Sequence, residues 1–198
     1  MNILAFIAQY LLERTAKVSL RMVGWSLVSN LPLTQKFLLV GAPHTSNWDF
    51  PIALLMMAGL GLRLRWIGKD SLFRGIKGPF MRGLGGIPVE RGARKNFVGQ
   101  IVDLYNSRDE MVITIAPEGT RKYVDHWKTG FYHIAVKAKV PVALGFLDYE
   151  KKSCGVGGYF TPSGNQEADL KILQDFYEEK TGKFPRQENK IRFLSKKN

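Results

Sequence analysis

Cysteine is nearly missing from this sequence: Cys154 is the only one. No internal disulfide can form, so the fold must rest on its core, and the composition fits a reducing compartment. Histidine is scarce too, with three in 198 residues. His126 and His133 lie far along the chain from His44, and no His, Cys or carboxylate spacing matches a ligand set, so no metal is expected. Acidic residues are few: 17 Asp and Glu against 29 Lys and Arg leave a formal charge of +12. A surface of that sign attracts polyanions such as nucleic acid, anionic lipid headgroups or phosphorylated ligands. There is no helix-turn-helix or zinc pattern, and the aromatics are not interleaved with basic residues as in a known module, so no nucleic-acid partner is expected. No apolar run reaches the ~18–20 residues that a membrane-crossing helix needs. The apolar start, MNILAFIAQYLL, has no basic residues before it and no small-residue cleavage site after it, which argues against a signal peptide.

What is present is an ordinary globular share of apolar residues, 45%. In the first segment Leu4, Leu11, Val18 and Trp25 recur every seven residues, with Ile7 and Met22 nearby and Arg14, Lys17 and Arg21 among them. This reads as an amphipathic helix. It could pack on its own domain or lie in a membrane interface with its basic residues among anionic headgroups. Further on, short apolar runs alternate with helical patterns. Strands are expected at 36–42, 62–68, 86–90, 111–116 and 140–147. Helices are expected at 51–60, near 96–105, at 130–138 and at 169–180. The alternation implies an α/β fold with a mainly parallel central sheet flanked by helices. No repeat, low-complexity tract or linker is visible. The division expected is an amphipathic helix over residues 1–30 and a single domain over 31–198.

Three polar clusters interrupt the apolar runs, each at the carboxyl end of an expected strand: HTSNWD (44–49), VERG (89–92) and PEGTR (117–121). Open α/β sheets collect function at those ends. His44 and Asp49 are five apart, about 140° on a regular helix, and would not share a face there. With His44 in the turn and Asp49 in the first helical turn, the side chains can meet. A carboxylate on one ring nitrogen leaves the other free to take a proton from a hydroxyl. The plainer alternative is a helix capped by Thr45, Ser46 or Asn47 with a satisfied histidine. A serine hydrolase using Ser46 lacks the Gly-x-Ser-x-Gly elbow. Leu and Met along 52–60 fit core packing better than the lining of a channel.

Taken in order, HTSNWD, GGIPVERG, APEGTRK and VPVALGF resemble the four sequence blocks of the glycerolipid acyltransferases, which include lysophosphatidic acid and glycerol-3-phosphate acyltransferases. The resemblance spans about residues 36–150. It differs at Pro43, at Ala116 and at Trp48. It implies transfer of an acyl chain from acyl-CoA or acyl-carrier-protein to a lysolipid hydroxyl, on a peripheral or monotopic protein at the cytoplasmic face of a membrane. No cofactor is implied, since the thioester is a co-substrate. His44 falls where the family has its general base and Asp49 where it has that base's partner. Arg91 falls at the phosphate-binding position. Glu118, Gly119, Thr120 and Arg121 fall in the block linked to acceptor binding, and Pro141 in the block near the acyl donor. Arginines suit this task because a guanidinium grips phosphate bidentately. Lys69 is a candidate third cation or a solvated surface charge. Glu118 could contact substrate directly or salt-bridge a neighbouring arginine and hold it in position. A lipid-binding protein without catalysis on the same fold is the competing reading.

Overall fold

The computed structural model describes residues 3–63, 65–89 and 97–194. Within them a seven-stranded sheet runs in the order β1-β7-β6-β2-β5-β3-β4. The strands are β1 (Ser26–Ser29), β2 (Lys36–Ala42), β3 (Arg65–Lys69), β4 (Gly86–Val89), β5 (Met111–Ile115), β6 (Val142–Asp148) and β7 (Ser153–Phe160). The helices are α1 (Ile3–Met22), α2 (Asp49–Gly59), α3 (Lys77–Gly83), α4 (Phe97–Asn106), α5 (Gly130–Ala138) and α6 (Gln166–Tyr177). Strands β2 to β6 are mutually parallel, and β7 runs antiparallel to β6 with β1 alongside it. The expected α/β class with a mainly parallel sheet is the one found.

Residues in β2 alternate between two apolar layers, as the two-residue period of a strand requires. Leu38, Val40 and Ala42 enter a core with Ile101, Tyr105, Phe131 and Leu173 from α4, α5 and α6. Phe37 and Leu39 enter a second core with Leu20, Met56 and Met57 from α1 and α2. The Met-rich stripe of α2 is therefore packing, as weighed from its sequence. Pro51 stands in the first turn of α2, where the missing amide is tolerated. Asn165 caps α6 through its side chain, which accepts from the backbone N–H groups of Glu167 and Ala168.

Of the heptad residues Leu4, Leu11 and Val18 are exposed and Trp25 is buried, while Ala16 and Leu20 are the buried residues of α1 itself. A Cβ built on Gly59 would meet Lys17 and one on Gly61 would meet Glu13, so α1 runs antiparallel to α2 and contacts its end. The apolar residues before Glu13 are exposed. Two expectations need correction. The strand expected over 62–68 is described over Arg65–Lys69. Thr45, Ser46 and Asn47 do not cap α2; no side chain at its N-cap position makes that bond. β1, β7 and α3 are elements beyond those expected. Two expectations lie partly or wholly outside the described residues: the last residue of the 86–90 strand and the start of the helix near residue 96.

Candidate active site

At the carboxyl end of β2 the chain leaves the sheet at Ala42, turns through 43–48 and enters α2 at Asp49. The turn folds the chain back so that His44 Nδ1 lies 2.9 Å from Asp49 Oδ2. A carboxylate only accepts, so Nδ1 is the donor of this pair, and in the neutral ring Nε2 is the nitrogen with the lone pair. The same Oδ2 accepts the backbone N–H groups of Thr45 at 3.0 Å and Ser46 at 2.9 Å. Asp49 thereby braces the loop that precedes α2, and a negative charge suits the first turn of a helix. The Asp49 side chain is 5% exposed while that of His44 is 29% exposed. The acid is enclosed and the imidazole has an open side.

Asp49 Oδ1 accepts from the hydroxyl of Tyr149 at 2.8 Å. No sequence signal pointed to Tyr149, because its partner is 100 residues distant. Burial first, and then the facing carboxylate, drive its phenol well above the ordinary value, so the hydroxyl is a donor across the neutral range.

From β5 the third cluster arrives at the same end of the sheet, since β5 is the parallel neighbour of β2. Glu118 is 1% exposed, and its Oε1 accepts the backbone N–H of His44 at 3.0 Å. What it holds is the His44 main chain rather than the neighbouring arginine expected from the sequence. Burial pushes the Glu118 carboxyl from 4.5 up to about 7. Gly119 has φ +65, and its N–H closes a turn onto the carbonyl of Ala116. A side chain is strained in that region, which is the use of a glycine here. Thr120 Oγ1 accepts from the backbone N–H of Lys122. Arg121 is exposed and, with Lys122, lines a cleft of about 420 Å³ whose other wall is Thr45, Ser46, Asn47 and Trp48. The first and third blocks therefore meet across one cleft.

A segment after α6 closes the far side. The backbone N–H of Phe184 donates to Thr45 Oγ1 at 3.1 Å. The Gln187 amide, with its NH2 turned inward, donates to the carbonyls of Thr45 and Arg121. Lys183 Nζ stands 4.9 Å from the ring centre of Trp48, which is 61% exposed. Phe184 and Gln187 line the cleft as well. Sequence reasoning missed this strap because nothing in residues 181–187 has a chemical signature of its own.

The remaining candidates are scattered. Lys69 is exposed at the carboxyl end of β3 and is not among the residues lining the cleft. Arg91 lies outside the described residues. Pro141 precedes β6, and its carbonyl accepts from the N–H of Leu38, which puts it at the opposite end of the sheet from His44. Ser46 is buried, and its hydroxyl accepts from the N–H of Trp48. Cys154 is buried in β7, with its thiol pushed up to about 12 by desolvation, consistent with an inert residue. Among the described residues no cluster of three His, Cys, Asp or Glu could hold a metal.

An imidazole tied to an enclosed acid and partly exposed at the end of a parallel sheet is an arrangement that can serve base-assisted group transfer. Residues 26–143 match the acyltransferase family, and the chain belongs to it. The family read from the four sequence blocks is thus the one found. The fold is similar to the crystal structure of the 1-acyl-sn-glycerophosphate acyltransferase PlsC from Thermotoga maritima. That likeness has a TM-score of 0.58 at 19% identity and covers 88% of this chain and 81% of that one. No curated protein matches this chain.

Proposed function

We propose that this acyltransferase moves an acyl chain from an acyl-CoA or acyl-carrier-protein thioester to the hydroxyl of a lysophospholipid, with 1-acyl-glycerol-3-phosphate the first acceptor to test. The observation that carries the reading is the 2.9 Å contact between His44 Nδ1 and the enclosed Asp49 carboxylate, with the ring partly exposed and the residues that follow it, Thr45 to Trp48, lining the Arg121 cleft. In this reading His44 Nε2 takes the acceptor's proton as its oxygen attacks the thioester carbonyl. Asp49 stabilises the imidazolium that forms. The tetrahedral intermediate then collapses, the carbon–sulfur bond breaks, and the departing thiolate takes the proton from His44. A thioester is already activated, so positioning and one base are the main requirements. Arg121 and Lys122 supply positive charge for the acceptor's phosphate, and Arg91 is a further candidate by its place in the second block.

The acceptor is amphiphilic, so the enzyme must work at a lipid surface. Among the described residues no helix is long and apolar enough to cross a membrane. The first residues of α1 instead expose Ile3, Phe6, Ile7 and Leu11 beyond the end of α2, with Arg14, Lys17 and Arg21 following. This supports peripheral binding, with α1 as the interfacial arm of one catalytic domain. The direct test is to incubate the purified protein with lysophosphatidic acid and either thioester and to follow phosphatidic acid by mass spectrometry. If no lysolipid in a broad panel gains an acyl chain from either donor, the reading fails.

A further inference from the structure

Tyr149 immediately follows β6, and β6 is the parallel neighbour of β2 on the side away from β5. In that ladder Ala42 pairs with Phe146, so the residues just past both strand ends emerge side by side. This register brings Tyr149 to the loop that carries His44. Asp49 Oδ2 already takes three donors: His44 Nδ1 and the N–H groups of Thr45 and Ser46. The other oxygen, Oδ1, takes the Tyr149 hydroxyl. The torsion that turns a carboxylate is soft, so contacts on one oxygen leave its plane free to swing. A donor on the second oxygen removes that freedom.

Tyr149 is itself held at three further points. Its ring meets Trp25 edge-on, with centres 5.0 Å apart and planes at 88°. Lys183 Nζ lies 6.0 Å from its ring centre. Its backbone N–H donates to the carbonyl of Thr181 at 2.8 Å, tying it to the strap that also braces Thr45. We propose that Tyr149 is a positioning residue of this site, its hydroxyl fixing the plane of Asp49 and through it the direction of the His44 ring. Tyr149 lies outside the matched segment 26–143. The inference rests on the acyl-transfer reading of the His44–Asp49 pair.

Tyr149→Phe keeps the ring against Trp25 and deletes only the hydroxyl. The expected result is a fall in kcat of roughly tenfold, of the size seen when an orienting hydrogen bond behind a reactive group is lost. KM for acceptor and donor stays within about twofold, because the hydroxyl is engaged by Asp49 and acts through it. A second readout needs no turnover. The chain has three histidines, so the Nδ1 proton of His44 can be assigned by comparison with His44→Gln. In the wild-type protein it gives a sharp downfield NMR signal; in Tyr149→Phe it broadens by exchange with water. An unchanged kcat or an unchanged signal overturns the proposal. So does Trp25→Phe, which trims the packing but keeps the hydroxyl, if it reproduces both effects. Absence of acylation by the wild-type protein defeats the functional reading instead, and the NMR comparison still decides the role of Tyr149.

Discussion

The carboxylate of Glu118 accepts the backbone N–H of His44, tying the third sequence block to the first beneath the surface of the site. Its other oxygen, Oε2, is buried without a hydrogen-bond partner. Burial is the main reason its carboxyl rises from 4.5 to about 7, against the lowering effect of backbone donors that include the His44 amide. The folded state therefore keeps this proton to higher pH than the unfolded chain does. Below pH 4.5 both forms are protonated and nothing is lost. Between 4.5 and about 7 the unfolded chain ionises first, so stability declines as pH rises, by about 3 kcal/mol in all. Glu118→Gln keeps a carbonyl acceptor for His44 but cannot ionise. Its urea midpoint should match the wild type below this window and exceed it above; parallel curves for the two proteins would contradict the assignment.

Removing the imidazole should stop the reaction without unfolding the chain. His44→Ala is expected to lower kcat by roughly 10²–10⁴, the usual contribution of a positioned base. Asp49→Asn should lose comparable rate, because the amide does not stabilise an imidazolium. Transfer from labelled acyl-CoA, read beside circular dichroism, checks both. Wild-type turnover in His44→Ala would remove that residue as the base.

Arg121 is exposed on the cleft wall and buries little, so its loss should act on binding rather than on folding. Arg121→Ala should raise KM for a phosphorylated acceptor by roughly 10- to 100-fold, the equivalent of one charge-assisted hydrogen bond. KM for the acyl donor should hold. Arg121→Lys should restore only part of the loss, since an ammonium cannot match the planar fork. A drop in kcat with KM for the acceptor unchanged would place the arginine elsewhere in the reaction.

The two halves of α1 should separate membrane binding from folding. Changing Ile3, Phe6, Ile7 and Leu11 together to serine touches exposed side chains. It should abolish sedimentation with anionic phospholipid vesicles and leave the melting temperature in place. Leu20 is 1% exposed in the layer it shares with Met57, so Leu20→Ala should cost about 2–5 kcal/mol and leave vesicle binding intact. Vesicle binding that survives the serine changes would assign the membrane contact to another surface.

Much of the parallel sheet was legible because its strands are buried runs of Leu, Val and Ile, as in FLLVGA and MVITI. β7 was not, because SCGVGGYF is rich in glycine and reads as a loop. Packing requires those glycines: a Cβ on Gly157 would strike the ring of Phe176. Gly155, at φ +145, would place one against the backbone of Val28. The strand forms because β6 and β1 pair with it on either side. The heptad of α1 left two fates open, packing or a membrane interface, because a pattern of apolar residues does not say which of them a neighbour will cover. Leu4, Leu11 and Val18 stay exposed, while Ala16 and Leu20 pack.

Local patterning alone determined the class of fold, and the four blocks in order mark the family. The spacing of His44 and Asp49 allowed the two side chains to meet across a strand-to-helix turn but also left open a capped helix with a satisfied histidine. Tertiary structure decided that Glu118 goes inward to hold the His44 main chain while Arg121, three residues on, goes outward to the cleft. It also decided that Tyr149 and the 181–187 strap close around Asp49 and Thr45. Those contacts join residues 74 to 139 positions apart. Strand order sets them, and strand order follows from the packing of the whole sheet rather than from any short stretch of chain.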